Sequence, residues 1–340
     1  MEFYQDPPQL GNQYTSDRLL RSYLERTLPQ EILKNITPDL ERFGAEVAGP
    51  ILKLGENAET NLPVHVPYSP WGKRIDDIRV SPEWIELEKI SSREGLVAIG
   101  YERKQKEFSR LYQFAKLYLF HPSSAVYTCP LAMTDGASRI IELYGSKELK
   151  DRAYKFLTSR DPNTFWTSGQ WMTEKTGGSD VSGTSTVAKL ENGTYRLYGQ
   201  KWFTSATTSQ MAVTLARLEG QEKLTLFYLE LRDEKGNLQN IKINRLKDKL
   251  GTKALPTAEL ELTGTPALMV GEPGKGVKTI AGLLNITRLH NAFCAVGTMR
   301  RGLNLAIDYA GRRTAFGKKL IDHGLHVNTL AGLEVRFMAS

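Results

Sequence analysis

Two short stretches carry side chains suited to holding a flat, anionic ligand. From Gln170 to Val181 the chain reads Q-W-M-T-E-K-T-G-G-S-D-V. Gln170, Trp171 and Met172 follow Thr167 and Ser168 as the end of a short strand. Gly177-Gly178 then lets the backbone take positive φ and expose consecutive N–H groups. Thr173 and Ser179 add hydroxyls that both donate and accept, which fits a heteroaromatic ring or a phosphate. The second stretch, Lys201 to Ser205, reads K-W-F-T-S and sets two aromatic rings beside two more hydroxyls. Taken alone, the first stretch is also an ordinary strand ending in a Gly-rich turn, and Trp202 is also an ordinary strand core residue.

Other chemistries find little support. The chain has no G-x-S-x-G, no H-E-x-x-H and no paired C-x-x-C. His323 and His326 lie three apart beside Asp322, but Gly324 spoils helical presentation, so they read as solvated surface and not as metal ligands. No G-x-G-x-x-G follows a strand, which leaves a Rossmann nucleotide site unsupported. The loop from Gly271 to Gly276 fails the P-loop template, because Met269 stands where the first Gly belongs and Gly276 replaces Ser/Thr; it reads as a hinge. Cys129 and Cys294 are far apart with no metal spacing, and they read as buried free thiols in a reducing compartment.

The elements that must position these stretches follow from periodicity. A chain of 340 residues exceeds one ordinary core, so two or three domains are expected. Residues 1–15 read as an extended arm. Leu19, Leu20, Tyr23, Leu24 and Leu28 follow helical spacing up to Pro29. Thr37-Pro38 reads as an N-cap and first helical residue. Ser81-Pro82-Glu83 repeats that logic, Pro122 ends an apolar helix that starts near Arg103, and Ser146 caps a later one. From about Phe165 the pattern alternates. Asn192-Gly193 marks a type I′ hairpin, and 211–218, 224–231, 241–245 and 258–262 read as further strands. Val277 to Ala310 is one long helix, and another starts near His326. That last helix shows no terminating Pro or C-cap, so the chain is expected to be cut short within its final region.

Together the motifs resemble the acyl-CoA dehydrogenase family of flavoproteins, and in particular its AidB-like (adaptive-response) branch. The resemblance rests on M-T-E-K-x-G-G-S-D-V at Met172–Val181, K-W-F-T at Lys201–Thr204, K-R-I-D-D-I-R at Lys73–Arg79, and R-L-K-D-K-L-G at Arg245–Gly251. Thr287-Arg288 and R-T-A-F-G at Arg313–Gly317 complete it. It implies an α+β fold: an all-helical N-terminal domain over 1–164, an antiparallel β-domain over 165–270, and the start of a C-terminal helical domain over 271–340.

The resemblance also implies FAD as cofactor, a fatty acyl-CoA as ligand, and a homo-oligomer, dimer or tetramer. Gln170, Trp171, Met172, Thr173, Gly178, Ser179, Trp202, Phe203, Thr204 and Ser205 would contact the flavin. Arg313 and Phe316 would reach a neighbouring subunit's FAD, for which a planar guanidinium fork is suited. Ser179 and Arg288 would touch substrate. For both arginines a solvated helix face is the plainer alternative. In the family a glutamate takes the α-proton of the thioester. In one set of members it stands where this chain has Thr287, and in most others it lies beyond Ser340. No residue here matches that base, so no catalytic residue is assigned and turnover stays open beside a second function, acyl-CoA binding without turnover.

The remaining expectations come from composition. The net charge of +7 (45 basic, 38 acidic side chains) suits an anionic ligand or nucleic acid without choosing between them. DNA association, suggested by the branch, finds no Lys/Arg run interleaved with aromatics in its favour. No apolar run nears the ~18 residues of a membrane span. An acidic N-terminus (Glu2, Asp6, Asp17) argues against a secretory signal, giving a cytoplasmic expectation with a mitochondrial alternative.

Overall fold

The computed structural model describes residues 4–340. Helices α1 (Arg18–Thr27), α2 (Gln30–Glu46) and α3 (Pro50–Thr60) open the chain. Asp17 caps α1 by accepting from the Leu20 N–H. The cap expected at Thr37 does not exist. Thr37 and Pro38 lie inside α2, and the Thr37 hydroxyl donates back to the Leu33 carbonyl. Leu40 and Phe43 are buried on that helix, and their packing outweighs the hydrogen bond that Pro38 cannot make. The N-terminal segment is docked: the Gln13 N–H bonds to the Gly44 carbonyl, and Arg312 donates to the carbonyls of Asp6 and Pro7.

A hairpin follows, β1 (Val64–Tyr68) with β2 (Arg74–Arg79), which contains the K-R-I-D-D-I-R motif. Its buried Asp76 accepts from Arg74 and from the Ile243 N–H, while Arg74 donates to the Ile243 carbonyl. The motif therefore clamps the hairpin to the segment around Ile243. Helices α4 (Pro82–Arg93, capped by Ser81), α5 (Ile99–Glu102), α6 (Ser109–Phe120) and α7 (Thr128–Tyr144) complete the helical layer. A last helical stretch runs through α8 (Lys147–Leu149), a π turn and α9 (Lys155–Leu157).

The middle domain is built from β3 (Ser168–Trp171), β4 (Val187–Glu191), β5 (Thr194–Ser205), β6 (Met211–Leu218), β7 (Leu224–Glu230), β8 (Ile241–Leu246) and β9 (Thr257–Val270). Antiparallel pairing dominates, and two parallel pairings, β3–β6 and β4–β6, join it. Five strands pair in a closed ring, β4-β5-β9-β7-β6 and back to β4, with β3 added at β6 and β8 at β9. The β4–β5 turn has φ of +50° at Asn192 and +79° at Gly193, as a type I′ hairpin requires.

Strand β6 explains how the two layers meet. Met211, Val213 and Leu215 face the helices, where Ile140, Ile141, Ile280 and Leu283 pack on them. Ala212 and Ala216 point into the ring with Trp171, Phe227 and Leu260. A strand covered on both faces reads as a near-continuous apolar run, and this one is broken only by Thr214 and Arg217. Helix α10 (Gly276–Arg312) is 37 residues long, about 56 Å, and lies along α7 and α6. A Cβ at Gly136 would stand 2.5 Å from Leu283, and one at Gly297 would stand 2.6 Å from the Tyr118 carbonyl oxygen. The two glycines let α10 press close to its neighbours. A small hairpin, β10 (Thr314–Ala315) with β11 (Lys318–Lys319), and helix α11 (Gly324–Met338) end the chain. Among the described residues no helix is long and apolar enough to cross a membrane.

Candidate functional site

The two motifs meet directly. Strand β3 is held by β6 on one side, where Thr214 Oγ1 donates to the Trp171 carbonyl at 2.6 Å, and by α7, where Thr134 Oγ1 accepts from the Ser168 N–H at 3.0 Å. Beyond Trp171 the chain leaves the sheet, and the Thr173 carbonyl accepts from the Trp202 N–H at 2.8 Å.

A buried ion pair locks that junction. Lys201 Nζ lies 2.8 Å from Glu174 Oε1, and both side chains are almost wholly enclosed. Glu174 also accepts from Thr186 Oγ1 and from the Ser185 N–H and hydroxyl, at 2.5–2.6 Å. Burial opposes ionisation of Glu174, but the Lys201 charge and these hydrogen bonds outweigh it and hold the carboxyl at about 2. Burial pulls Lys201 down while Glu174 counters it. The ion pair fixes where the Gly-rich loop leaves and where β5 bends. Sequence reasoning passed over both partners, although each stands inside a quoted motif.

The loop itself departs from expectation. Neither Gly177 nor Gly178 takes positive φ. Gly177 closes a tight turn with Glu174 through two backbone hydrogen bonds. Gly178 is needed for another reason: a Cβ there would stand 2.9 Å from Thr173 Cγ2 and 3.1 Å from its Oγ1. Gly178 and Ser179 are exposed.

On the facing strand, the register to β9 slips between Lys201 and Thr204. This irregularity turns Trp202 and Phe203 out of the ladder. Phe203 adopts φ of +55° and is more than half exposed. Lys175 and Lys247 each bring Nζ to 4.9 Å from the Trp202 ring, and Lys247 also sits 3.6 Å over Phe203. The result is a cationic aromatic platform. Two predicted contacts are held elsewhere. Thr204 is buried and donates to the Ala258 carbonyl at 2.6 Å, while Trp171 packs inside the ring of strands. Ser205 shares a hydrogen bond with Thr257.

Gln170 opens onto a cavity of about 290 Å³ between α7, α10 and the strand end. Thr287, His290, Asn291 and Cys294 reach it from α10, and His121, Thr128, Cys129 and Met133 from the other side. The two cysteines, distant in sequence, thus face one space. Burial pushes both thiols up to about 11, so neither is a thiolate at neutral pH. Burial also lowers His121 to about 4, leaving it neutral, with Nδ1 2.6 Å from Thr128 Oγ1. Thr287 donates its hydroxyl to the Leu284 carbonyl. Arg288, its neighbour, is exposed and contacts Asn285.

Behind the cavity wall lies a network that sequence reasoning did not find. Asp135 is fully buried and accepts from Arg110, Gln113, Tyr101 and His290. Burial raises its carboxyl, but His290 and Arg110 outweigh that and hold it well below the usual carboxylate range. The signal in the sequence was an acid, Asp135, amid the small and apolar residues of α7.

Arg313 and Phe316 are not brought to this place. Arg313 follows Thr287 by 26 residues of α10 and its cap, about 39 Å at 1.5 Å per residue. Phe316 is 97% exposed.

Comparison with known proteins accounts for this arrangement. Residues 5–161 match the AidB N-terminal domain of the adaptive response protein, residues 169–265 the acyl-CoA dehydrogenase middle domain, and 274–340 the acyl-CoA dehydrogenase C-terminal domain. The chain is 46% identical over 347 residues to acyl-CoA dehydrogenase family member 11 of Caenorhabditis elegans, covering 98% of this chain and 56% of that protein. It is 30% identical over 294 residues to the putative acyl-CoA dehydrogenase AidB of Escherichia coli, covering 84% and 54%. The chain thus spans about half the length of these curated relatives. Among solved structures, the apo form of Bd2924 superposes with a TM-score of 0.96 at 56% identity, over 99% of this chain and 69% of that one. The C. elegans ACDH-11 complex with C11-CoA gives 0.95 at 45% identity, over 98% and 59%. Motif order, ring of strands and long helix all agree with these matches, and the chain belongs to the acyl-CoA dehydrogenase family, in its AidB-like branch.

Proposed function

We propose that this chain forms the flavin- and acyl-CoA-binding part of an FAD-dependent acyl-CoA dehydrogenase-like protein, which acts on or holds a fatty acyl-CoA thioester. The observation that carries the reading is the junction of the two motifs, Trp202 N–H to Thr173 carbonyl, beside a cavity that Gln170 shares. The residues present fit a flavin. Thr173 and Ser179 offer hydroxyls, Gly178 lets the loop close on the Thr173 side chain where a Cβ would collide, and the Trp202–Phe203 platform offers π faces under two cations. When bound, FAD would supply a two-electron acceptor. The chain's own part is to orient the ring by Thr173, to set Trp202 beside it through the Glu174–Lys201 pair, and to enclose the acyl chain between α7 and α10. Arg313 and Phe316, about 39 Å along α10 from Thr287 at the cavity, would meet the flavin of a second copy.

A second reading is ligand holding without turnover; among the described residues no carboxylate lines the cavity beside Gln170. The ACDH-11 complex contains C11-CoA, which supports an acyl-CoA ligand here under either reading. The test is the visible spectrum of the 340-residue chain after reconstitution with FAD, followed by titration with acyl-CoAs. A bound-flavin spectrum that bleaches on addition of ligand supports dehydrogenation. One perturbed without bleaching supports holding. Failure to retain FAD at any concentration, with the fold intact, overturns the proposal.

A further inference from the structure

A separate cleft of about 440 Å³ opens between the α5–α6 link, α7 and α10, and it shares no lining residue with the cavity beside Gln170. Four cations line it, Arg103, Lys106, Arg110 and Arg139, against one acid among the described residues, Glu107. All four are open to solvent. The side chains of Arg103, Arg139 and Arg110 are 55%, 37% and 29% exposed, and Lys106 is exposed. Arg110 is set in place from behind: its Nη1 donates to Asp135 and to Gln113, and a Cβ at Gly100 would stand 2.8 Å from its Cζ. Its Nε and Nη2 make no hydrogen bond among the described residues, and neither is enclosed. Glu142 takes Arg103 Nη2 and Arg139 Nη1, each at 2.5 Å, so one carboxylate answers two guanidiniums. Arg103 and Lys106 each adopt φ of +53°, an uncommon conformation for residues with a side chain, in the short link that forms the rim.

We propose that this cleft binds a small soluble phosphomonoester, whose phosphate is held by Arg103, Arg110 and Arg139 with Lys106 at the rim. Three guanidinium forks and an ammonium present more N–H donors than the two oxygens of a carboxylate can take, whereas a phosphate dianion offers three charged oxygens. Asp135 and Glu142 do not line the cleft; they hold the guanidiniums in position before a ligand arrives, which lowers the cost of binding. The volume falls within the range of about 300–1,000 Å³ typical of small-molecule sites. Among the described residues no aromatic ring lines the cleft, so nothing there stacks on a nucleobase. The ester's organic part is therefore small and not a nucleoside. The inference stands apart from the flavin and acyl-CoA reading, because it uses none of the residues assigned to those ligands.

The experiment is calorimetric titration of the 340-residue chain with glycerol phosphate at fixed ionic strength, with acetate as the control anion. One saturable site is expected, and its affinity rises as the ester loses its second proton near about pH 6. The double variant Arg103→Gln, Arg139→Gln weakens binding about tenfold or more. Glu107→Gln, which removes the acid lining the cleft, tightens it, and Lys242→Gln, a cation of another cleft, leaves it unchanged. The thermal midpoint of the double variant checks that it folds, and a readout free of any variant is the movement of the Arg103 and Lys106 amide resonances of wild type on adding the ester. Absence of saturable binding overturns the inference. So does binding that the double variant retains, binding of acetate as tight as that of the ester, or binding to phosphatidic-acid vesicles without binding of the soluble ester. AMP binding much tighter than glycerol phosphate, in a manner the double variant abolishes, overturns the assignment to a non-nucleoside ester.

Discussion

Replacing Lys201 by Met removes one charge of the Glu174–Lys201 pair at nearly constant volume. Glu174 then keeps the hydroxyls of Ser185 and Thr186 but loses the Lys201 ammonium, its one cationic partner within salt-bridge distance among the described residues. The drop of its carboxyl from an ordinary 4.5 to about 2 corresponds to about 3 kcal/mol of preference for the ionised folded form. Breaking one side of a buried pair costs about 3–5 kcal/mol, so the two routes agree in size. Lys201→Met is expected to lower stability by about 3 kcal/mol at pH 7. Glu174→Gln should cost a similar amount, and the double variant clearly less than the sum of the two, because it leaves no orphaned charge.

The pH dependence has a fixed sign. A carboxyl whose folded pKa is depressed contributes its stability in full above the unfolded value and loses it as pH falls toward the folded value. The stability difference between wild type and Glu174→Gln should therefore hold steady above about pH 5 and shrink between 4.5 and about 2. Denaturant unfolding measures the total, and hydrogen exchange of the Trp202, Ser185 and Thr186 amides measures the local effect, since those N–H groups bond to Thr173 and Glu174. A Lys201→Met protein within 1 kcal/mol of wild type (against the ~3 expected), or a Glu174→Gln difference that stays flat with pH, would refute the reasoning.

Three further perturbations have expected outcomes. Asp135→Asn leaves Arg110 and His290 without their carboxylate and should lower stability by about 3–5 kcal/mol, read as a fall in thermal midpoint of several degrees. Gly297→Ala puts a methyl group 2.6 Å from the Tyr118 carbonyl oxygen and should cost about 1–3 kcal/mol by pushing α10 off α6; an unchanged unfolding midpoint would contradict the close approach. His121, lowered from 6.5 to about 4 by burial, contributes stability present above pH 6.5 and lost as pH falls toward 4, and His121→Asn should remove that component from the unfolding–pH curve.

Much of the fold was legible because local rules and tertiary demands coincided. The Asn192-Gly193 turn, the Ser81 and Ser146 caps and the long helix obey rules acting within a few residues. Where they diverged, packing won. Thr37-Pro38 has the chemistry of a helix start, yet Ile36, Leu40 and Phe43 bury one continuous face, so the helix runs through it. Gly177-Gly178 has the composition of a positive-φ turn, yet its constraint is steric, set by the Thr173 side chain across the loop. Period and propensity register the chain's neighbours along the sequence, and they are silent about a contact made after the backbone doubles back.

The site divides along the same line. Residue types singled out the proposed ligand contacts, and of these the structure leaves Gly178, Ser179 and Phe203 exposed but buries Trp171 and Thr204. The residues that hold them in place were not singled out. Glu174 and Lys201 are 27 positions apart, and Asp135 and His290 are 155 apart. Each charge alone reads as a solvated one, and only the fold shows that water is excluded from both partners. A buried ion pair such as Glu174–Lys201 adds little net stability compared with an apolar replacement; its effect, like that of the His290–Asp135 hydrogen bond, is to forbid every arrangement that separates the partners. In this chain the two pairs stand where such exclusion matters. One fixes the strand junction beneath the platform, and the other fixes the imidazole at the cavity. An apolar substitute for either could keep the fold and still let Trp202 or His290 take more than one orientation. Stability alone therefore will not reveal what the charges contribute; the spread of ligand geometries will.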